Sequence, residues 1–427
     1  MSAALAYSTQ VAVASLSLLN ALIVSRELGP AGRGEVVFLV TVAILSSQLA
    51  SLSVSEAISV RAGKSPGQRP ALASNAAVLA SVLGVATVVA LVLLVLAVPG
   101  IGPRVGVSLW AVTFVAVAPL ILQEYLSRLA LAEYRFGVAN AAFLVPAVFQ
   151  VVTNGSLAAA GELTVGRAML AWACGQLLAV VLLAVDAVRA GSGFGRPDVA
   201  LGRHMVGFGL KAHGSRSLMW GNYRLDQWLV GAIAGSRELG LYSVAVAWAE
   251  GLFLLPQAIA IIQRPDLVRE DEPTAGRRAA LGFRLTTLST APLVLGLVIL
   301  APVLCERLFG SEFAGSVGML RVLALGGFGI AAVRLFGSAL IAQRRPLLET
   351  VATGIAFAAT IVLDALLIPA HGGLGAALAS TIAYTFGGIV VAFVAAKTLG
   401  FSLGTLVPTS TDLRSARGML GTLRRRA

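Results

Sequence analysis

Long apolar segments, separated by short polar breaks, follow one another along the whole chain. Each segment reaches about 20 residues, which is the length that an α-helix needs to cross the hydrocarbon core of a bilayer. The breaks are rich in turn-forming residues, as in Gly29-Pro30-Ala31-Gly32 and His371-Gly372-Gly373. No connecting segment is long enough to form a soluble domain. The pattern therefore predicts an all-α polytopic membrane protein.

Twelve membrane-spanning helices fit this pattern. The first 25 residues contain no Lys or Arg, so they lack the basic region of a cleavable signal peptide and are interpreted as a permanent span. Composition agrees with the membrane class, because only 12% of the residues are charged, against about 25% in soluble domains. The spans are predicted near residues 3–24, 35–60, 72–98, 107–131, 138–160, 167–188, 208–234, 239–263, 281–304, 316–343, 347–369 and 374–396.

The positive charge of the chain is explained by its orientation in the membrane. The formal net charge is +12, which by itself would suggest a nucleic-acid partner. Twenty of the 32 lysines and arginines, however, fall in the loops after even-numbered spans or in the C-terminal tail, and six fall in the loops after odd-numbered spans. Positive residues are retained in the cytoplasm, so both termini are predicted to be cytoplasmic and no nucleic-acid partner is expected.

Cofactors, metals and enzymatic chemistry find little support in the sequence. Two cysteines and three scattered histidines form neither a disulfide framework nor a metal-ligand set. Gly63-Lys64-Ser65 resembles part of a phosphate-binding loop, but Ile58 stands where its first glycine would be. No large loop carries the grouped carboxylates of a membrane glycosyltransferase. We therefore expect a protein that is not an enzyme and has no resident cofactor or metal.

Three landmarks recur six spans apart and indicate an internal repeat. Ser-Arg-Glu-Leu-Gly occurs at residues 25–29 and again at 236–240, the break at 131–135 matches the break at 341–345, and Gly161 matches Gly372. The offsets are 210 or 211 residues. An even number of spans per repeat predicts two lobes of the same orientation around a central cavity. We predict an N-terminal lobe at 1–190, a cytoplasmic linker at 191–205, a C-terminal lobe at 206–398 and a basic tail at 399–427.

Charged residues inside the spans are the main functional signal. A charge at the bilayer centre costs roughly 2.5–3.5 kcal/mol on insertion scales, so such residues normally face a wet cavity or a partner. Six basic residues lie within spans, all of them in the last six predicted spans. The segment 211–250 is the richest, since it combines basic residues with Asp226 and Glu250.

Several motifs resemble the polysaccharide flippases of the multidrug/oligosaccharidyl-lipid/polysaccharide (MOP) exporter superfamily. The resemblance runs in order over nearly the whole chain. It implies a two-lobed fold of twelve helices with a cationic central cavity, which moves an undecaprenyl-pyrophosphate-linked oligosaccharide to the outer leaflet by alternating access. The motifs are at 25–35 (SRELGPAGRGE), 224–227 (RLDQ), 238–245 (ELGLYSVA), 256–258 (PQA), 308–313 (LFGSEF) and 368–377 (IPAHGGLGAA).

The implied pyrophosphate assigns a role to the intramembrane cations. Arginine presents a planar, always-charged fork of donors to phosphate oxygens. The expected headgroup ligands are therefore Lys211, Arg216, Arg224, Arg321 and Arg334. Asp226 and Glu250 are left with two roles, either coupling to Na⁺ or H⁺ or pairing with arginines for assembly.

A cytoplasmic gate is a further hypothesis from the repeat. At the offset of 210, Glu124 of span 4 corresponds to Arg334 of span 10. Such a pair could close the cytoplasmic side, with Arg128 competing for the Glu124 carboxylate one helical turn away. The alternative is a permanent Glu124–Arg128 pair, with Arg334 binding phosphate.

Two other functions compete with the lipid-oligosaccharide flippase. A drug or small-cation antiporter of the same superfamily would carry a coupling carboxylate in the first lobe, where Glu56 and Glu124 are the candidates. A scaffold for polysaccharide assembly without transport activity is the third possibility. The expected partners are a lipid-linked oligosaccharide, membrane lipids and other polysaccharide-assembly proteins, and the expected location is the cytoplasmic (inner) membrane.

Overall fold

The computed structural model describes residues 2–97, 105–189, 193–409 and 412. Over this part of the chain the regular structure is helical throughout, which confirms the predicted all-α class. Short 3₁₀ turns occur at Pro66–Gln68, Ser311–Phe313 and Leu403–Leu406, and a π turn at Val303–Arg307. The α-helices are α1 (Ser2–Ala50), α2 (Val54–Lys64), α3 (Arg69–Ala97), α4 (Val107–Val115), α5 (Val117–Ala132), α6 (Phe136–Ala159), α7 (Val165–Arg189), α8 (Val199–Ile233), α9 (Ser236–Arg269), α10 (Glu272–Pro302), α11 (Gly315–Leu325), α12 (Gly327–Ala342) and α13 (Pro346–Leu399).

Nine helical segments of the described chain are long and apolar enough to cross a membrane. They confirm a multi-pass membrane protein, while the number of twelve spans and the side of each terminus stay predictions. Helix α8 does not meet the same criterion, because its polar and charged residues lower its mean hydropathy. The nine segments are Ser8–Ala50, Pro66–Ala97, Val107–Ala132, Phe136–Ala159, Val165–Arg189, Ser236–Arg269, Glu272–Arg307, Gly315–Ala342 and Pro346–Leu399.

Two of these helices each contain two predicted spans joined at a glycine. Helix α1 is interrupted at Gly29, with φ 64°, and helix α13 at Gly372, with φ 55°. Glycine adopts positive φ without steric cost, and the following Pro30 cannot continue the hydrogen bonds of the preceding helix. The sequence pattern therefore located both breaks, although each joins its helices by a kink instead of a loop.

The chain divides into two compact units, Met1–Gly240 and Leu241–Ala427. In the first unit α8 packs on α1, α2 and α3, and the core is built around Tyr125, Leu72 and Met169. In the second unit α13 packs on α10, α11 and α12 around Phe336. The predicted lobes at 1–190 and 206–398 stay a prediction, but the structure assigns α8 to the first unit.

The basic tail is described only in part. Phe401 stacks on Phe336, with ring centroids 5.7 Å apart, and Arg284 of α10 donates to the carbonyl of Thr405 at 2.7 Å. Arg284 also pairs with Asp412 at 3.0 Å. These contacts dock the start of the tail on the second unit. The basic residues of the tail lie outside the described residues, as do residues 99–104 between the third and fourth predicted spans and the first part of the 191–205 linker. These tail residues are Arg414, Arg417, Arg424, Arg425 and Arg426.

Two landmarks of the proposed repeat have the same local structure in both units. Helices α5 and α12 end at Ala132 and Ala342, and the second residue after each end has φ 60°. The next N–H then bonds back to the helix, Arg135 to Ala130 at 2.9 Å and Arg345 to Leu340 at 2.8 Å. Gly161 and Gly372 likewise share positive φ at an offset of 211 residues. Both landmarks support the repeat.

The third landmark, the duplicated Ser-Arg-Glu-Leu-Gly, is not structurally equivalent in its two copies. The first copy ends the first limb of α1, whereas the second copy begins α9 after Gly235. The reason is the following residue, since Pro30 starts a new helix after Gly29 while Leu241 lets Gly240 remain helical. The repeated sequence therefore marks a turn in both places, but the first copy precedes its turn and the second copy follows its turn.

Candidate functional site

A cluster of four charged side chains forms where α2, α5 and α8 meet in the first unit. Arg216 of α8 lies between two carboxylates, with Nη1 3.1 Å from Glu56 Oε1 and Nη2 2.6 Å from Glu124 Oε1. Arg128 lies 4.0 Å from Glu56, and the Ser55 hydroxyl donates to Glu124 at 2.6 Å. Two acids thus balance two bases, with Arg216 and Glu124 largely buried and Glu56 and Arg128 partly exposed.

The chain positions this cluster through a bend between α1 and α2. Leu52 and Ser53 both have positive φ, which turns the chain sharply and starts α2 at Val54. The Tyr125 hydroxyl donates to the Ser51 carbonyl at 2.5 Å and holds the bend against α5. Gly209 brings α8 against the same bend, because a Cβ there would overlap the Leu52 carbonyl. Helix α8 can therefore approach closely enough for Arg216 to reach both carboxylates.

The two central side chains of this cluster, Arg216 and Glu124, are largely buried, so their contact differs from a solvent-exposed ion pair. The side chains of Arg216 and Glu124 are only 15% and 11% exposed, against 39% for Arg128. Glu124 Oε2 and Arg216 Nε are fully buried and have no hydrogen-bond partner in the described part of the chain. Losing one member of such a pair leaves an uncompensated charge, which is costly in a low-dielectric interior.

This geometry bears on two of the predicted site residues. Arg216, expected to bind a headgroup, is already occupied by two carboxylates. Arg128 was expected to compete for Glu124, but its ion pair is with Glu56. The Glu124–Arg334 gate stays a prediction. Glu56 was predicted only as a coupling candidate, and its position as the second partner of Arg216 was not predicted.

The other predicted site residues are spread over the two units. Lys211 is exposed on α8, and Asp226 is buried, with its carboxylate accepting the N–H of Gln227 at 2.7 Å. In the second unit Arg321 is exposed and donates to the Val298 carbonyl at 3.1 Å. Arg334 is half-buried on α12, and Glu250 is half-buried on α9.

A cavity of about 340 Å³ opens inside the first unit, and Arg224 is the predicted ligand that lines it. Arg33, counted as a loop residue in the sequence analysis, is the second arginine of its wall. The rest of the wall combines carboxamides, hydroxyls and aromatic rings with aliphatic side chains. The polar and aromatic members are Ser17, Asn20, Thr41, Phe143, Gln150, Asn154, Trp172, Gln176 and Gln227.

No carboxylate is among the described residues that line this cavity. The charged side chains of the described lining are the two guanidinium groups. The carboxamides were not predicted as site residues, because every predicted site residue was a charged one. A signal was present nonetheless: Gln150 and Asn154 on α6, and Trp172 and Gln176 on α7, are each four residues apart and share a helix face.

Two family models match the chain. The model described as "Polysaccharide biosynthesis protein" matches residues 23–318, which is more than half of the chain. The model described as "Lipid II flippase MurJ" matches residues 245–417. Among curated proteins, no sequence matches the chain at a significant level.

Solved structures show the same fold at low sequence identity. The inward closed conformation of the lipid II flippase MurJ superposes with a TM-score of 0.76 at 13% identity, covering 94% of this chain and 89% of that one. An inward-facing multidrug resistance MATE family transporter of the MOP superfamily gives 0.63 at 13% identity, covering 90% and 94%. A MOP superfamily transporter from Pyrococcus furiosus gives 0.60 at 13% identity, covering 93% of both chains.

The family model spans α1 to α11, and the fold agrees with it over nearly the full length of the chain. The chain therefore belongs to the polysaccharide biosynthesis protein family and has the fold of the MOP superfamily transporters.

Proposed function

We propose that this protein is a flippase for a lipid-linked oligosaccharide. It would move an undecaprenyl-pyrophosphate-linked repeat unit from the inner to the outer leaflet of the cytoplasmic membrane by alternating access. Membership of the polysaccharide biosynthesis family supports a glycan substrate, and the multi-pass fold shared with the MurJ flippase supports translocation of a lipid. Other polysaccharide-assembly proteins would supply the substrate and receive the product.

The observation that carries this proposal is the wall of the cavity in the first unit. Arg33 and Arg224 line it, and the described lining contains no carboxylate. A pyrophosphate carries several acceptor oxygens and a strong negative charge, which guanidinium groups bind through charge-assisted, often paired hydrogen bonds. In a low-dielectric wall these contacts are stronger than they would be in water.

The geometry changes which predicted ligands are proposed. Arg33 and Arg224 become the principal headgroup ligands in the first unit. Arg216 is removed from that role, because Glu56 and Glu124 already neutralise it. Lys211, Arg321 and Arg334 remain proposed contacts for other stages of the transport cycle.

A drug or small-cation antiporter fits the same cavity less well. A cationic substrate would meet two arginines and no carboxylate in the described lining. The first-unit carboxylates considered for coupling, Glu56 and Glu124, are engaged with Arg216 and Arg128. The structural likeness to MATE transporters shows the fold alone. Coupling of lipid export to Na⁺ or H⁺, through Asp226 or Glu250, remains part of the proposal.

Glycan export in cells tests this function. A strain without the gene should lose surface glycan and accumulate the lipid-linked oligosaccharide on the cytoplasmic side, and the wild-type gene should restore export. Arg33→Gln and Arg224→Gln should fail to restore it at normal protein levels. The matched control is Arg167→Gln, since Arg167 is exposed and pairs with Glu162 at 2.7 Å outside the cavity. Normal surface glycan in the deletion strain would refute the proposal.

A further inference from the structure

Three carboxamides in the cavity form a continuous hydrogen-bonded chain across α1 and α6. Asn154 Nδ2 donates to Asn20 Oδ1 at 2.8 Å, and Asn20 Nδ2 donates to Gln150 Oε1 at 3.4 Å. Gln150 Nε2 then donates to the Pro146 carbonyl at 3.2 Å. All three amides line the same cavity. Each amide in the chain donates to the next, so the three are oriented together.

The last acceptor determines the direction of this chain. A backbone carbonyl can only accept, so the Gln150 group that contacts Pro146 must be the amide nitrogen. Gln150 then offers its oxygen to Asn20, and Asn20 offers its oxygen to Asn154. Asn154 Oδ1 is therefore left at the end of the chain. It is fully buried without a hydrogen-bond partner among the described residues, and Asn154 as a whole is 1% exposed.

Two further polar groups of the wall have no partner in the described structure. The Trp172 indole N–H makes no hydrogen bond there, although the residue is buried with 6% exposure. The Gln176 carboxamide, one turn further along α7, makes none either, and both residues line the cavity. Buried polar groups in native proteins are paired in the great majority of cases. Of the three groups, the Asn154 oxygen is fully buried, whereas Gln176 is half-buried. Together with Trp172 they give the cavity wall hydrogen-bonding groups that a ligand can complete.

The type of unpaired group identifies the chemistry of that ligand. Asn154 Oδ1 is an acceptor and needs a donor, which an ionised pyrophosphate cannot supply. A cationic donor is disfavoured by Arg33 and Arg224 in the same wall. Sugar hydroxyl groups both donate and accept, as carboxamides do. Aromatic rings such as those of Trp172 and Phe143 offer an apolar face to the C–H side of a sugar ring.

We propose that this wall is a carbohydrate subsite for the sugars next to the pyrophosphate, with Asn154, Trp172 and Gln176 as its contacts. This inference rests on the proposed flippase function and adds to it a site that binds the glycan part of the substrate. The cavity, at about 340 Å³, is at the small end of the roughly 300–1,000 Å³ found for ligand pockets. It therefore accommodates the first sugars and leaves the rest of the repeat unit outside.

Binding of two matched lipids to the purified full-length protein tests this subsite. One probe is undecaprenyl pyrophosphate, and the other is the undecaprenyl-pyrophosphate oligosaccharide extracted from the cells that carry this gene. Kd is measured for each lipid by native mass spectrometry in lipid nanodiscs. The wild type should bind the glycan-bearing lipid at least about tenfold more tightly, a difference that a few hydrogen bonds can supply.

The key variants are Gln176→Leu and Trp172→Phe, since neither breaks a hydrogen bond of the described structure. Each should lower the preference for the glycan-bearing lipid about fivefold while leaving binding of undecaprenyl pyrophosphate within about twofold. Asn154→Leu should do the same, with thermal unfolding as its check on folding. The control is Gln123→Leu, which removes the hydrogen bond that the Gln123 side-chain amide donates to the Ala142 carbonyl outside the cavity. The lipid preference of this variant should equal that of the wild type.

The outcomes separate the subsite from the proposed function. Equal affinity of the wild type for the two lipids would overturn the carbohydrate subsite and leave the flippase proposal standing. An unchanged preference in Gln176→Leu and Trp172→Phe would also overturn it. If the wild type binds neither lipid, the proposed function fails and the inference fails with it.

Discussion

Arg216 shows how much of a site depends on partners that are distant in sequence. The sequence correctly marked it as a rare charge in an apolar region, because such a residue needs a cavity or a counter-ion. Its counter-ions lie 160 and 92 positions away, on α2 and α5. Which of several carboxylates meets which arginine depends on the packing of three helices. The spacing of charges along one helix could not determine this pairing of carboxylates with arginines.

Removing Arg216 should destabilise the protein far more than removing Arg128. Arg216→Gln leaves the nearly buried Glu124 without its cation, a situation that can cost up to about 3–5 kcal/mol. Arg128→Gln is the matched control, because its side chain is 39% exposed and lies 4.0 Å from Glu56; such contacts contribute about 0–1 kcal/mol. Thermal unfolding in detergent compares the two variants. Equal midpoints would show that the cluster is not a stabilising unit.

A charge swap distinguishes the observed partner of Glu124 from the predicted gate partner. Glu124→Arg should lose stability, and adding Arg216→Glu should recover much of the loss if the two side chains interact directly. Adding Arg334→Glu to the Glu124→Arg variant should instead restore glycan export, if Glu124 and Arg334 pair at another stage of transport. Stability and export are measured on both double variants. Failure of Arg334→Glu to restore export would remove the gate hypothesis.

At the scale of elements, the positions of glycines explain how α1 and α9 approach each other. A Cβ at Gly34 would overlap the Ser236 carbonyl, and a Cβ at Gly240 would overlap the Pro30 carbonyl. Small residues at such crossings let helix backbones approach closely in membrane proteins. The two copies of Ser-Arg-Glu-Leu-Gly therefore lie at turns that contact each other directly, through Gly34 with Ser236 and Gly240 with Pro30.

Gly34→Ala should therefore destabilise the first unit, although alanine is the better helix former. The control is Gly137→Ala on α6, where an added Cβ meets nothing within 4 Å. That control should be neutral or more stable by up to about 1 kcal/mol, because glycine is a poor helix former. Thermal unfolding of both variants reads out the difference. A Gly34→Ala protein as stable as the control would contradict the close crossing.

The elements were the part of the fold that the sequence predicted best. Apolar length and turn residues located the helices, since both follow from local physics. The turn after α5 was matched correctly to the turn after α12, because both need the same positive-φ residue at one position, Tyr134 and Arg344. The predicted lobe boundaries stay a prediction, and the contacts that α8 makes with α1 and α2 could not be read from hydropathy.

At the scale of the whole molecule, the distribution of basic residues predicts which turns face the cytoplasm. Single cysteines in a background with Cys174 and Cys305 replaced by alanine test this orientation. Arg277→Cys should react with a membrane-impermeant maleimide only after the cells are opened, and Arg237→Cys should react in intact cells. Both parent side chains are exposed. Labelling of Arg277→Cys in intact cells would contradict the predicted orientation.

Translocation in proteoliposomes tests the central claim most directly. Purified protein is reconstituted with the lipid-linked oligosaccharide extracted from the cells that carry this gene, and the fraction of glycan newly exposed on the opposite leaflet is measured with a membrane-impermeant glycosidase. We expect wild-type protein to expose glycan well above the level of empty liposomes, Arg224→Gln to fall to that level, and Arg167→Gln to match the wild type. Exposure by Arg224→Gln equal to that of the wild type, or none by the wild type, would contradict the account.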